Sequence, residues 1–393
     1  MSEIYLTAGT RSALGDFGGS LKDVPFTDLA SQVVQACIER AGVAADAIDH
    51  MVFTTTCPTD KDSLFSARVV GMKSGLPEEA AALDVSRACA SGLQAIISAS
   101  QQITSGQSEL AVAAGCEMFS RAPYAVTTAR WGNARGNQQL EDVLEWCYRC
   151  PFSLEYMGDT AENLAEKYQY EREPMDEYAV TSQARALAAI ESGFLGRQIV
   201  PIKVPDGKTT RTFEVDESPR QGITMERLAR LRPAFQENGK VTAGNSSGVT
   251  DGAAAILVGT EQSLTAAGAT PAARVVDWTV VGVAPSLMGH GPVPAIQRLL
   301  QRNNLAVADI DYFEVNEAFA VVNLHVEAQL GIPREKHNLY GGGISVGHPP
   351  GVTGLRMAMN AVQHLQDTGS RYAVLSMCLG AGQGLAMLIE NPM

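Results

Sequence analysis

The feature that most constrains this chain is a repeat of itself. Displacing the 393-residue sequence by 262 positions lays Arg40 on Arg302, Ala44 on Ala306, Ile48 on Ile310 and Asp49 on Asp311. The same offset lays Gly92 on Gly354, Leu93 on Leu355, Ala99 on Ala361 and Gln101 on Gln363. It then lays Ser108 on Ser370, Ala111 on Ala373, Val112 on Val374 and Cys116 on Cys378. A constant offset in constant order points to two similar units built by duplication.

The pattern inside each unit sets the class. Leu29, Val33, Cys37, Ile38 and Ala41 share a helical face, with Thr27 as the expected N-cap and Gly42 as the stop. Short apolar runs at 51–54, 110–114, 254–258, 312–315, 373–377 and 385–389 read as buried strands. Strands alternating with helices give an α/β fold. The halves are expected at 1–118, with 249–269 returning to it, and at 270–393. Residues 119–248, richer in charges and turns and broken by Pro201, Pro205 and Pro233, read as a domain inserted in the first half.

Charge narrows the function. With 30 Lys plus Arg against 43 Asp plus Glu, the net charge of −13 argues against nucleic-acid binding and against docking on an anionic membrane. An anionic small molecule would need a local basic patch, and Arg220, Arg227, Arg230 and Arg232 supply one, with Phe235 as an aromatic face. The alternative for that run is a solvated helix face. No apolar stretch reaches the ~18 residues of a membrane span. The N-terminus lacks the n- and h-regions of a signal peptide. Seven cysteines without framework spacing suit reduced thiols, so a cytoplasmic protein is expected.

Five segments have the composition of reactive loops. Ser86-Arg87-Ala88-Cys89-Ala90-Ser91-Gly92 places a thiol just before a helix, where the dipole and free N–H groups are expected to favour a nucleophilic thiolate. The alternative is a small core thiol. Gly347-His348-Pro349-Pro350-Gly351 holds one imidazole in a stiff frame, as a general base or as a plain turn. Cys378-Leu379-Gly380-Ala381-Gly382-Gln383-Gly384 ends a strand in a glycine-rich turn whose N–H groups could cradle an oxyanion. Asn316 and Glu317 follow a strand, either to hold a water or to cap the next helix. The small residues Thr242–Gly252 would let an extended ligand pass close to the backbone, or form an ordinary loop. Cys147-x-x-Cys150 lacks the second ligand pair of a zinc site, so no metal is expected. Cys37, Cys57 and Cys116 read as core, and His50, His290, His325, His337 and His364 show no partner in sequence.

Taken in order, Cys89-Ala-Ser-Gly, Asn316-Glu-Ala-Phe, Gly347-His-Pro-Pro-Gly and Cys378-Leu-Gly-Ala-Gly-Gln-Gly resemble the thiolase family over essentially the whole chain. The resemblance implies two βαβαβαββ halves in a five-layer α-β-α-β-α arrangement, an inserted loop domain, and a homodimer or homotetramer. It implies acyl transfer between 3-ketoacyl-CoA and CoA, with CoA as substrate and no cofactor. Cys89 would be the acylated nucleophile, His348 would take its proton, and Cys378 would exchange a proton with the acetyl-CoA methyl carbon. His348 with a water on Asn316 would form one oxyanion hole, and the N–H groups of Cys89 and Gly380 the other. Glu317 would be scaffolding. Arg220, Phe235, Ala243, Ser247 and Phe319 match the CoA contacts, with Met157 and Met288 at the acyl end. Tyr156 stands where short-chain biosynthetic members carry His, so strict acetoacetyl-CoA specificity does not follow. Two alternatives are a ketoacyl synthase-like condensing enzyme, against which Cys378 argues, and a silent acyl-CoA-binding protein, which would be expected to lack one of the three reactive groups.

Overall fold

The structure, a computed structural model, describes residues 2–132 and 135–392. Its main strands are β1 (Ile4–Leu6), β2 (His50–Thr54), β3 (Ala81–Val85), β4 (Leu110–Glu117), β5 (Thr250–Gly259), β6 (Ala273–Gly282), β7 (Tyr312–Val315), β8 (Tyr372–Leu379) and β9 (Gln383–Glu390). The principal helices are α1 (Phe26–Ala41), α2 (Ser91–Thr104), α3 (Val143–Tyr148), α4 (Met157–Tyr168), α5 (Arg172–Glu191), α6 (Pro292–Arg302), α7 (Ala320–Leu330) and α8 (Pro350–Thr368). All six apolar runs read from the sequence are strands. The short strand β3 and the ten-residue β6 have no comparable apolar run: β3 has no buried residue, and β6 alternates buried with partly exposed positions.

Strands follow one another in the order β7-β8-β9-β6-β1-β5-β4-β2-β3. In the first copy β4 runs parallel to β2 and antiparallel to β5. In the second, β8 runs parallel to β7 and antiparallel to β9. The 262-residue offset maps β4 onto β8 residue for residue, and α2 onto α8. β1 pairs with β5 on one edge and β6 on the other, joining the two half-sheets.

Alternation along the strands builds the layers. Ala111 and Ala113 of β4, with Ala373, Leu375 and Met377 of β8, face a central core formed by α2 and α8. Val112, Ala114 and Cys116 face the opposite way, onto α1. Val374 of β8 faces α6. Two sheet layers enclosing one helix layer, with helices outside both, give the five-layer α/β arrangement. α1 begins one residue before the expected cap: Pro25 is its N-cap, and Thr27 is buried inside the first turn. Gly42 ends it in the left-handed conformation at φ 71°.

Residues 119–248 supply α3, α4, α5 and a hairpin, Ile202–Asp206 with Thr209–Phe213. Asp216 in this region pairs with the buried Arg11 at 2.7 Å, fastening it to the first half. No helix among the described residues is long and apolar enough to cross a membrane.

Candidate active site

Cys89 lies in the turn before α2. Ala88 takes a left-handed φ of 45°, a conformation that costs a non-glycine residue about 1 kcal/mol. Ser91 stabilises it: its hydroxyl accepts from Arg87 N at 2.8 Å and donates to Ala88 O at 2.7 Å. The thiol meets the N–H of Gly380 and its own N–H. The expected helix-driven thiolate is not what results. Burial pushes the Cys89 thiol up, and the two N–H groups offset that in part, because an apolar cavity penalises the anion more than the dipole helps it.

His348 follows Gly347, whose φ of 106° and 2.5 Å clearance to Thr250 Cγ2 admit only glycine. Pro349 caps α8 and Pro350 opens it, where a missing N–H costs nothing. His348 Nδ1 lies 2.7 Å from Thr353 Oγ1, and that hydroxyl donates to Pro349 O at 2.9 Å. With the hydroxyl proton so used, the hydrogen-bond pattern assigns the ring proton to Nδ1 and leaves Nε2 an acceptor. Nε2 lies 3.3 Å from Asn316 Nδ2. Burial, and then the Arg356 guanidinium, hold His348 down at about 3, so it is a neutral base at working pH.

Asn316 is buried, its N donating to Ser376 O at 2.9 Å, while its Oδ1 has no hydrogen-bond partner among the described residues. It does not cap α7, whose N-cap is Phe319. Glu317 accepts from Tyr178 at 3.2 Å, Ser182 at 2.6 Å, Asn338 at 3.2 Å and Ile344 N at 3.2 Å, which docks α5 against this loop. Cys378 is fully buried near the end of β8, and its thiol is pushed up by burial and then by the Cys89 sulfur. Ala381 (φ 66°) and Gly382 (φ 81°) complete the turn that presents Gly380.

Of these groups Cys89, His348 and Gly380 border a cavity of about 480 Å³, whereas Asn316 and Cys378 are buried and not among the residues that line it. Cys89, His348, Gly380, Tyr156, Met157, Met288, Phe235, Ser247 and Phe319 all line it. Phe235 stands edge-on to Phe319, centroids 6.1 Å apart, and covers Gly158, where a Cβ would fall 2.2 Å from its ring. Arg220 and Ala243 are exposed and off the cavity wall, as are Arg230 and Arg232. No group of three or more His, Cys, Asp or Glu among the described residues is placed to hold a metal ion.

Sequence reasoning missed part of the wall. Cys147 and Tyr148 of α3 line the cavity, and Cys147 contacts Cys57. Tyr156 donates to Glu145 at 2.7 Å and accepts from Arg149, tying α3 to the start of α4. Only Thr353 had a local signal, five residues beyond His348 on the first turn of a helix.

Comparison with known proteins agrees over the full length. The family model described as "Thiolase, N-terminal domain" matches residues 4–262, and "Thiolase, C-terminal domain" matches 269–391. The chain is 42% identical over 390 residues to Beta-ketothiolase BktB of Cupriavidus necator, covering 99% of each. It is 42% identical over 393 residues to Acetyl-CoA acetyltransferase of Escherichia coli, covering 100% of each. The crystal structure of human mitochondrial 3-ketoacyl-CoA thiolase in complex with CoA superposes with a TM-score of 0.95 at 39% identity, covering 99% of this chain and 98% of that one. With both halves matched and the fold shared throughout, this chain belongs to the thiolase family.

Proposed function

We propose that this thiolase moves acyl groups between 3-ketoacyl-CoA and CoA through an acyl-Cys89 intermediate. The observation that carries the reading is the meeting of the Cys89 thiol with the Gly380 N–H in a cavity shared with a neutral His348, with Cys378 close enough to feel the Cys89 sulfur. All three groups are uncharged at rest, so proton transfer awaits the substrate.

In the cleavage direction, His348 Nε2 takes the Cys89 proton and the sulfur attacks the 3-keto carbon. The carbonyl becomes an oxyanion facing preorganised N–H donors, a contribution of several kcal/mol in a dry site. As the C2–C3 bond breaks, the C2 carbanion of acetyl-CoA takes the proton of Cys378, whose burial keeps it protonated until then. Acetyl-CoA leaves, a CoA thiol gives its proton to Cys378, and its sulfur displaces Cys89 from the thioester, the departing Cys89 thiolate taking back the proton held on His348 Nε2. Asn316 Oδ1 offers an acceptor for the water that would complete the second oxyanion hole with His348.

Phe235, Phe319, Ser247, Met157 and Met288 are assigned to the pantetheine arm and acyl end, with Arg220 and Ala243 outside the cavity for the nucleotide. A homodimer or homotetramer in a reducing cytoplasm is part of this proposal, supported by seven unpaired cysteines and by exposed Trp131, Phe152 and Leu154 on the inserted region. The decisive experiment follows loss of ketoacyl absorbance with free CoA over a chain-length series. Turnover is expected with at least one 3-ketoacyl-CoA, and Cys89→Ser is expected to lose about four orders of magnitude in kcat. Absence of turnover at every chain length would refute the assignment.

A further inference from the structure

We propose that Glu117 is a positioning residue for this reaction: its carboxylate clamps the Thr55–Cys57 turn of the first copy to the first turn of α8 in the second, and so holds His348 in place against Cys89. The inference rests on the thiolase reading above.

Glu117 ends β4 and is fully buried. Its Oε1 accepts from Thr55 Oγ1 at 3.1 Å, Thr56 N at 3.1 Å and Cys57 N at 3.0 Å. Its Oε2 accepts from Thr56 Oγ1 at 2.7 Å and from Gly351 N at 3.0 Å. No lysine or arginine is among these partners. Burial pushes the Glu117 carboxyl up and these hydrogen bonds lower it in return; convergent donors of this kind call for an acceptor-only group, which the carboxylate form supplies. Glutamine would turn an NH2 toward the same N–H groups.

Both ends of the clamp reach the reaction. Thr56 lines the cavity. Gly351 stands three residues after His348 and two before Thr353, the residue that holds His348 Nδ1. The joint has little slack: a Cβ at Gly115 would fall 2.0 Å from Gly351 O, and one at Gly351 3.0 Å from Thr54 O. A negative side chain at the start of α8 also complements the helix dipole. The Glu117 charge further opposes ionisation of Cys89. The other titratable groups around that thiol are Cys147, Tyr148, Cys378, His348 and Glu145.

The test compares kcat, KM and the pH profile of Cys89 alkylation by iodoacetamide in the full-length enzyme. Glu117→Gln is expected to lower kcat about 10- to 100-fold with KM within about twofold, as expected for misplacement of a reacting group. Its alkylation midpoint moves to lower pH because a negative charge is gone. Glu117→Asp keeps the charge but is one methylene short, so kcat falls while the midpoint stays. Combined with Thr353→Val, the Gln variant falls no further than the worse single, because both act on the same imidazole. Wild-type kcat in Glu117→Gln, or effects that multiply in the double variant, would overturn the proposal; should the Gln variant not fold, wild-type kcat in Glu117→Asp does the same. Failure of the thiolase reading would instead abolish turnover in the unmodified enzyme, so the two failures are told apart.

Discussion

Gly92 and Gly354, equivalent positions of the two copies, lie against each other where α2 meets α8. A Cβ on Gly92 would sit 2.8 Å from Leu355 N, and one on Gly354 2.2 Å from Leu93 N. The central helices therefore meet backbone to backbone at their first turns. Cys89 precedes one of these glycines by three residues and His348 precedes the other by six, so the contact that closes the core also brings the nucleophile and its base to one cavity.

Gly354→Ala puts a methyl group into backbone that has no side chain to move aside. We expect it to cost about 3 kcal/mol of stability, the upper end for overpacking, and to lower activity by displacing α8. Thermal unfolding followed by circular dichroism checks this, and a wild-type midpoint would count against the contact.

The pH profile should carry the mark of the buried imidazole. His348 titrates near 3 instead of at the ordinary value of about 6.5, so its base form persists throughout the neutral and mildly acid range. Falling pH would remove activity through His348 only on approaching 3. A kcat/KM profile, which reports the free enzyme, is expected to show no acid limb near 6.5. Rising pH should speed Cys89 alkylation, with a midpoint above that of an ordinary cysteine, since burial disfavours its thiolate.

Gly158→Ala tests the substrate channel separately from the chemistry. The new methyl group would fall 2.2 Å from the Phe235 ring, which must swing away from Phe319. KM for CoA substrates is expected to rise about tenfold while kcat changes by less than about threefold, the signature of lost uniform binding. Equal losses in kcat and kcat/KM would instead place Phe235 in the transition state.

The duplication was legible because buried strands and helix-packing glycines tolerate few alternatives, so Gly92/Gly354 and the apolar runs of β4 and β8 remain aligned by one offset. The reactive loops were legible because each concentrates residues that serve poorly as filler: Cys89 before a helix, His348 framed by glycine and proline, Cys378 before alternating glycines. Glu117 and Tyr148 gave no such signal, and Cys147 stood out only as half of a C-x-x-C pair set aside as a metal site. A single glutamate at a strand end is ordinary in sequence, and its five donors arrive from turns 60 or more residues away and from the other copy. Of the histidines set aside for want of a partner, four found theirs only in three dimensions, His290 with His325 at 2.8 Å, His337 with Glu327 at 2.9 Å and His364 with Tyr340 at 2.8 Å, while neither ring nitrogen of the buried His50 has a hydrogen-bond partner among the described residues.

By itself the sequence determined the doubled α/β scaffold and the identity of the reactive side chains, since periodicity and local loop chemistry are written residue by residue. Tertiary structure decided what each equivalent residue became. Cys116 and Cys378 occupy the same position of the repeat, yet one is sealed beneath α1, its thiol directed at Phe26 O, and the other borders the cluster formed by α4, Met288 and Phe319. It also set their acidity. The α2 dipole alone would favour a Cys89 anion, but the apolar surroundings assembled from both copies and the insertion push that thiol up and His348 down, because desolvation depends on everything that packs around a charge and not on its neighbours in the chain.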